Sequence, residues 1–236
     1  MLRGIIVAVA LILAVVVIIE SAAWVATHPQ NFPWTRLSLD QPIGRYTAAK
    51  VAALGDDPRR CRALLADAGI LDRPAPALSA VSPCGYSDGM RLDRDPAFRP
   101  ANLVTACPVA AALALWERDV IQPAARRHLV SSVTAIDHAG SYSCRRIDGR
   151  ADGRFSEHAT ANAIDITGFR TADGRRISLI ADWRGGGAKA AFLRDIRDGA
   201  CTLFATTLSP DYNAAHADHF HLDQASRGAI GGTMCR

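Results

Sequence analysis

Lysine is nearly missing from this 236-residue sequence: Lys50 and Lys189 are the only two, and the net charge of +4 rests on arginine. No dense basic run occurs, so the chain carries no electrostatic footprint for nucleic acid. None of the six cysteines sits in a C-x-x-C pair, which removes the usual thiolate metal site and the usual redox motif. Repeats and low-complexity tracts are absent as well. What remains is an ordinary balance of 49% apolar and 21% charged residues, that of a globular protein. The length suits one domain of about 100–200 residues with an appendage.

The appendage is at the start. Gly4 to Ile19 is uninterrupted aliphatic or small, preceded by Arg3 and followed by Glu20, Ser21 and Ala22-Ala23-Trp24. A full span needs about 20 apolar residues, so the helix reaches across if it continues past Glu20 to an interfacial Trp24. Two readings stand: an uncleaved anchor, or a signal segment cut near Ser21-Ala22-Ala23. In both, Arg3 stays cytoplasmic and the rest is exported: the anchor gives a single-pass inner-membrane protein with its C-terminal domain in the periplasm or extracellular space, and the cut segment leaves a soluble mature protein. Cys61, Cys84, Cys107, Cys144, Cys201 and Cys235 are an even number and read as disulfides in such a compartment. Sequence order alone suggests Cys61–Cys84, Cys107–Cys144 and Cys201–Cys235.

Residues 1–27 are therefore the membrane segment. The proline-spaced stretch 28–45 reads as an extended linker and 46–236 as the folded domain. One or two short helices are expected between Thr47 and Gly69, then a loop from Pro74 to Pro83. Thr105 to Leu129 carries Val109, Ala112, Leu113, Trp116, Val120 and Ile121 on one helical stripe, with Pro123 expected to kink or end it. Beyond Val130 come short strand-like segments, Val133 to Ile136, Ala163 to Thr167, Ile177 to Ile180, Leu203 to Thr207 and His219 to Asp223. A helix from Ala188 to Asp198 interrupts them, with Gly199 placed to stop it. Helices first and strands later predict an α+β domain, a small antiparallel sheet with helices packed on it.

Chemistry concentrates in two clusters. His216, His219 and His221 fall within six residues of chain, and on a strand His219, His221 and Asp223 share one face while Phe220 and Leu222 point into the core. A merely solvated face would be served as well by Thr, Lys or Glu. Upstream, His158 precedes Asp165 by seven residues, and Asp165 sits between Ile164 and Ile166. A carboxylate on an apolar strand is costly unless paired, hydrogen-bonded or metal-bound. Catalytic zinc takes three N or O ligands and leaves a fourth position for water, and His, Asp and His form such a set.

Together the clusters resemble the zinc D-alanyl-D-alanine carboxypeptidases and the wider group that includes lysostaphin-type endopeptidases and the hedgehog signalling domain. The pattern S-x-H-x-x-G-x-A-x-D is matched by Ser156, His158, Ala163 and Asp165, with Ala161 where glycine is usual, and H-x-H by His219-Phe220-His221. The resemblance implies His158, Asp165 and His221 as zinc ligands, with His216 and His219 beside the metal and Asp218 where some members carry a glutamate base. Over roughly Trp34 to Arg236 the chain also resembles the bacterial extensin-like C-terminal domain family, through Cys107-Pro108-Val109-Ala, Gly140-Ser-Tyr-Ser-Cys144-Arg145, Ser156-Glu-His-Ala and the run from Tyr212 to Asp223. The chain has no polyproline tract, so a fibrous wall role has no physical basis.

These resemblances imply a peptidoglycan peptidase, acting on a stem peptide or cross-link, or else a non-catalytic zinc module that grips wall peptide. His216 and Asp218 are candidates for the general base, and His219 for steadying the oxyanion. Arg145, upstream of the first motif as the corresponding arginine is in the carboxypeptidases, is the candidate for a substrate carboxylate, unless it is only a surface charge. Ser156 completes the expected substrate side.

Overall fold

The computed structural model describes residues 2–70, 72–79, 81–227 and 232–236; Met1, within the expected membrane segment, lies outside them. The helices are α1 (Leu2–Thr27), α2 (Thr47–Ala52), α3 (Pro58–Asp67), α4 (Cys107–Trp116), α5 (Gln122–Ala124), α6 (Leu179–Asp182) and α7 (Gly187–Ala200). The strands are β1 (Arg73–Pro74), β2 (Leu78–Ser79), β3 (Gly85–Tyr86), β4 (Gly89–Arg91), β5 (Ala97–Arg99), β6 (Val104–Ala106), β7 (Val133–Gly140), β8 (Ala163–Thr171), β9 (Arg176–Ser178), β10 (Thr206–Leu208), β11 (Phe220–Asp223) and β12 (Met234–Cys235).

The α+β expectation holds. The main sheet runs β12-β10-β11-β8-β7-β5, with β9 also on β8. Its centre, β10 to β7, is antiparallel, but the edge strands β12 and β5 pair in parallel with β10 and β7. The helical segment that follows β5 supplies the crossover that a parallel β5–β7 pair needs. Two small sheets, β1-β4-β6 and β2-β3, flank it.

The core lies between the sheet and α4. Cys107-Pro108 starts that helix with proline in its first turn, and the alanines and leucines that follow are good helix formers. Every residue of α4 but Ala114 is buried, and the Trp116 indole N–H donates to the Ile196 carbonyl at 2.8 Å, tying α4 to α7. Pro123 does not end the helix. The chain continues through π-helical turns at Glu117–Ile121 and Ala125–Leu129, and the wider turn ahead of Pro123 accommodates its ring and its missing N–H. Gly199 does not stop α7 either. A Cβ there would meet Val120 Cγ1 at 2.3 Å, so the glycine serves close packing between α7 and the first π turn.

Two further expectations are revised. The disulfides are Cys61–Cys107, Cys84–Cys144 and Cys201–Cys235, so only the last follows sequence order. Packing of α3 on α4 brings Cys61 to Cys107 (Cα–Cα 6.1 Å), a long-range contact invisible in the spacing. In the stretch 28–45 the chain is not extended away from the domain: Leu37 and Leu39 are buried in the core, and Arg118 donates to the carbonyls of Leu39 and Gln41.

The apolar helix α1 is long enough to cross a membrane or to serve as a signal segment, and three disulfides point to a domain outside the cytoplasm.

Candidate metal centre

The site lies on the side of the sheet away from α4, where β8 and β11 run antiparallel. Ile164 and Ile166 on β8, like Phe220 and Leu222 on β11, are fully buried in the core, so the alternate residues Asp165, His221 and Asp223 emerge on the other face. Register places His221 directly opposite Asp165. Sheet pairing thus converts the spacing of two remote motifs into one cross-strand pair.

His158 arrives from a 3-10 turn, Glu157–Thr160, that leads into β8. Ser156 caps the turn, its Oγ accepting the His158 backbone N–H at 3.4 Å. The turn closes at Ala161, whose φ of 55° lies in the left-handed region. Glycine would adopt that conformation without strain, which is the physical content of the glycine the carboxypeptidase pattern has here; alanine carries a cost of about 1 kcal/mol. The Ala161 carbonyl is clamped by the Ala106 N–H (2.8 Å) and the Ser141 hydroxyl (3.1 Å).

Three atoms converge. His158 Nε2, Asp165 Oδ1 and His221 Nδ1 lie 3.1 Å from one another along all three edges. Each of the other two ring nitrogens is occupied: His158 Nδ1 is 2.6 Å from the Ser141 carbonyl oxygen, and His221 Nε2 is 3.1 Å from Asp223 Oδ2. Both partners only accept, so each histidine presents its bare nitrogen to Asp165 when neutral. Three lone pairs then face each other in a nearly buried place, an arrangement stable only with a cation or a proton between them. These three residues are the group, among the described residues, able to hold a metal ion.

The electrostatics agree. Burial favours the neutral carboxyl of Asp165, but its hydrogen-bond contacts with the His158 and His221 rings, and the positive charge that His158 and His219 carry when protonated, outweigh it and hold its pKa well below the carboxylate range. Burial likewise disfavours a charged His221, yet the carboxylates of Asp165 and Asp223 push its pKa up to about 9. A metal-free site therefore keeps a proton on His221 where a metal would sit.

Around this triangle stand the remaining predicted residues. His219 Nε2 is 3.5 Å from Asp165 Oδ1, while its Nδ1 is 2.7 Å from Asp218, whose side chain is 58% exposed. The His216 ring centroid is 5.1 Å from that of His219 and 6.0 Å from that of His221. Asn213 Oδ1 takes the His216 backbone N–H at 3.2 Å and lies 2.7 Å from His216 Nδ1. Because that oxygen already accepts from the backbone, it accepts from Nδ1–H also, and a neutral His216 carries its lone pair on Nε2. Arg145 is exposed on the segment beside the His158 turn, its carbonyl accepting the Ser156 N–H at 3.0 Å. Ser156 is engaged as a cap, a role separate from the one expected of it.

A scan against protein-family models matches residues 59–236 to the extensin-like protein C-terminus family. The chain belongs to that family. Neither curated proteins nor solved structures give a match. Within this extensin-like domain the matched span contains the whole of the triangle. Sequence reasoning left two contributors without a role: Ser141, which acts through its backbone carbonyl and so leaves no side-chain signal, and Asn213, whose part depends on the tautomer of a neighbour. Asp223 was placed on the correct face, and the H-x-H-x-D alternation was the signal for its contact with His221.

Proposed function

We propose that this extensin-like domain is a zinc-dependent peptidase that acts on peptidoglycan stem peptides, held on the outer side of the inner membrane by α1. The single observation that carries the reading is the three-sided cluster of His158 Nε2, Asp165 Oδ1 and His221 Nδ1 with 3.1 Å edges. Ligand atoms around tetrahedral zinc stand about 3.3 Å apart, and a His, Asp, His set leaves the fourth position to water. The Ser141 carbonyl and Asp223 supply the outer hydrogen bonds that fix the ligand histidines. When bound, zinc supplies a Lewis acid for the scissile carbonyl and lowers the pKa of water in its open position to about 7.

The chain's own residues supply the rest. His216, with Nδ1–H fixed on Asn213, offers Nε2 to take the proton of the attacking water and later to pass it to the leaving amine. It suits this role better than Asp218, which is turned outward and bonded to His219. His219 in its charged form, paired through Nδ1 with Asp218, donates from Nε2 toward the oxyanion. Arg145 on the rim offers a fork for a free terminal carboxylate, as in a D-alanyl-D-alanine end.

The outward Asp218 also favours a second reading, a zinc-containing module that grips wall peptide without cutting it. Release of D-alanine or opening of cross-links by the zinc-loaded protein, lost in His216→Ala while zinc is retained, separates the two. Binding of the stem peptide without any release would sink the peptidase.

A further inference from the structure

The end of α1 carries an aromatic group that continues into the domain. Trp24 stacks on His28 (centroids 5.0 Å), Phe32 meets Trp24 edge-on (5.3 Å) and Trp34 meets Phe32 (5.2 Å). After Thr27 the chain therefore turns back, so that Phe32 lies level with a residue one helical turn inside α1. Trp24 is 52% and Trp34 73% exposed, whereas the other two tryptophans, Trp116 and Trp183, are buried in the domain. From Gly4 to Trp24 a helix rises about 30 Å, the thickness of a hydrocarbon core, which sets Trp24 at the far boundary.

This aromatic group is fixed to the domain. Lys50 Nζ donates to the Pro29 carbonyl (2.9 Å) and to Thr35 Oγ1 (2.7 Å), the Tyr46 N–H donates to the Gln30 carbonyl (3.1 Å), and the Arg45 N–H donates to Asn31 Oδ1 (3.0 Å). Gln30 is buried, and Leu37 and Leu39 enter the core a few residues on. Between the helix and the domain there is no slack.

We propose that Trp24, Phe32 and Trp34 form a collar that inserts into the headgroup boundary of a phospholipid bilayer and seats the domain directly on the membrane surface. Tryptophan prefers that layer because its ring is apolar and its N–H finds polar partners there. The proposal rests on α1 remaining attached as a span and is independent of the peptidase reading.

The test uses the full chain in phosphatidylcholine–phosphatidylglycerol vesicles with brominated acyl chains, after intact-mass analysis. Subtracting the fluorescence of Trp34→Phe from that of the wild type isolates Trp34, with Trp24, Trp116 and Trp183 as common background. A blue-shifted Trp34 signal that loses most of its intensity to bromines near the glycerol end of the chains, and little to aqueous iodide, is the expected result. A water-like Trp34 signal quenched by iodide and untouched by bromine overturns the collar while leaving the span intact. A mature chain that begins near Ala23 overturns both.

Discussion

Metal uptake at this site should release a proton, and its pH dependence follows from His221. Near pH 7 the metal-free protein holds His221 protonated, since Asp165 and Asp223 push its pKa up to about 9 against the effect of burial. The Nδ1 proton then bridges toward Asp165 Oδ1 and His158 Nε2, each 3.1 Å away, in the space a metal needs. A metal binds only the bare nitrogen. At pH 7, two units below that pKa, about one site in a hundred is bare, so apparent affinity lies about 100-fold, or about 2.7 kcal/mol, under its ceiling. Affinity should rise about tenfold per pH unit and level off as pH passes 9. Stability of the metal-free fold runs the other way. The folded pKa stands above the ordinary 6.5, so this contribution is full below pH 6.5 and is lost as pH climbs through about 9, by up to about 3 kcal/mol. Chelator competition across that pH range, calorimetry in buffers of differing ionisation enthalpy, and melting of the metal-free protein measure the three quantities. Affinity that stays flat from neutral pH to about 9, with no proton released, would refute the reasoning.

Other expectations follow from single contacts. Asp223→Asn removes the carboxylate behind His221 and should weaken zinc affinity by about 10- to 100-fold with the fold intact, read by the same chelator competition. Asn213→Ala frees the His216 tautomer; kcat should fall and its pH profile change while zinc content holds, and Asn213→Asp should restore part of the rate by accepting the same Nδ1–H. Replacing Cys61 and Cys107 by alanine opens a loop with a sequence separation of 46 and should cost about 4 kcal/mol in denaturant unfolding, without altering metal stoichiometry in the protein that remains folded.

The candidate metal cluster was legible in the sequence because it obeys local rules. Alternation in His219-Phe220-His221-Leu222-Asp223 assigns faces before any partner strand is known, and an aspartate between two isoleucines declares an odd environment. That the two motifs meet is a matter of β8–β11 register, which only the resemblance suggested in advance. Long-range packing accounts for the misses. Nothing near Cys61 names Cys107, because the pair follows from α3 lying on α4. Leu37 and Leu39 are isolated apolar residues in a proline-spaced stretch, and their burial depends on a core built from far along the chain. Pro123 and Gly199 carry strong local signals that tertiary packing overrides, the first through a π turn and the second through contact with Val120.

Most direct of all is the metal content of the purified full chain, measured by elemental analysis before and after chelation and zinc reloading, for the wild type and for His158→Ala and His221→Ala. The account predicts about one zinc per chain in the wild type, regained after chelation, and little in either variant. Wild-type protein that takes up no zinc, or variants that retain as much as the wild type, would contradict it.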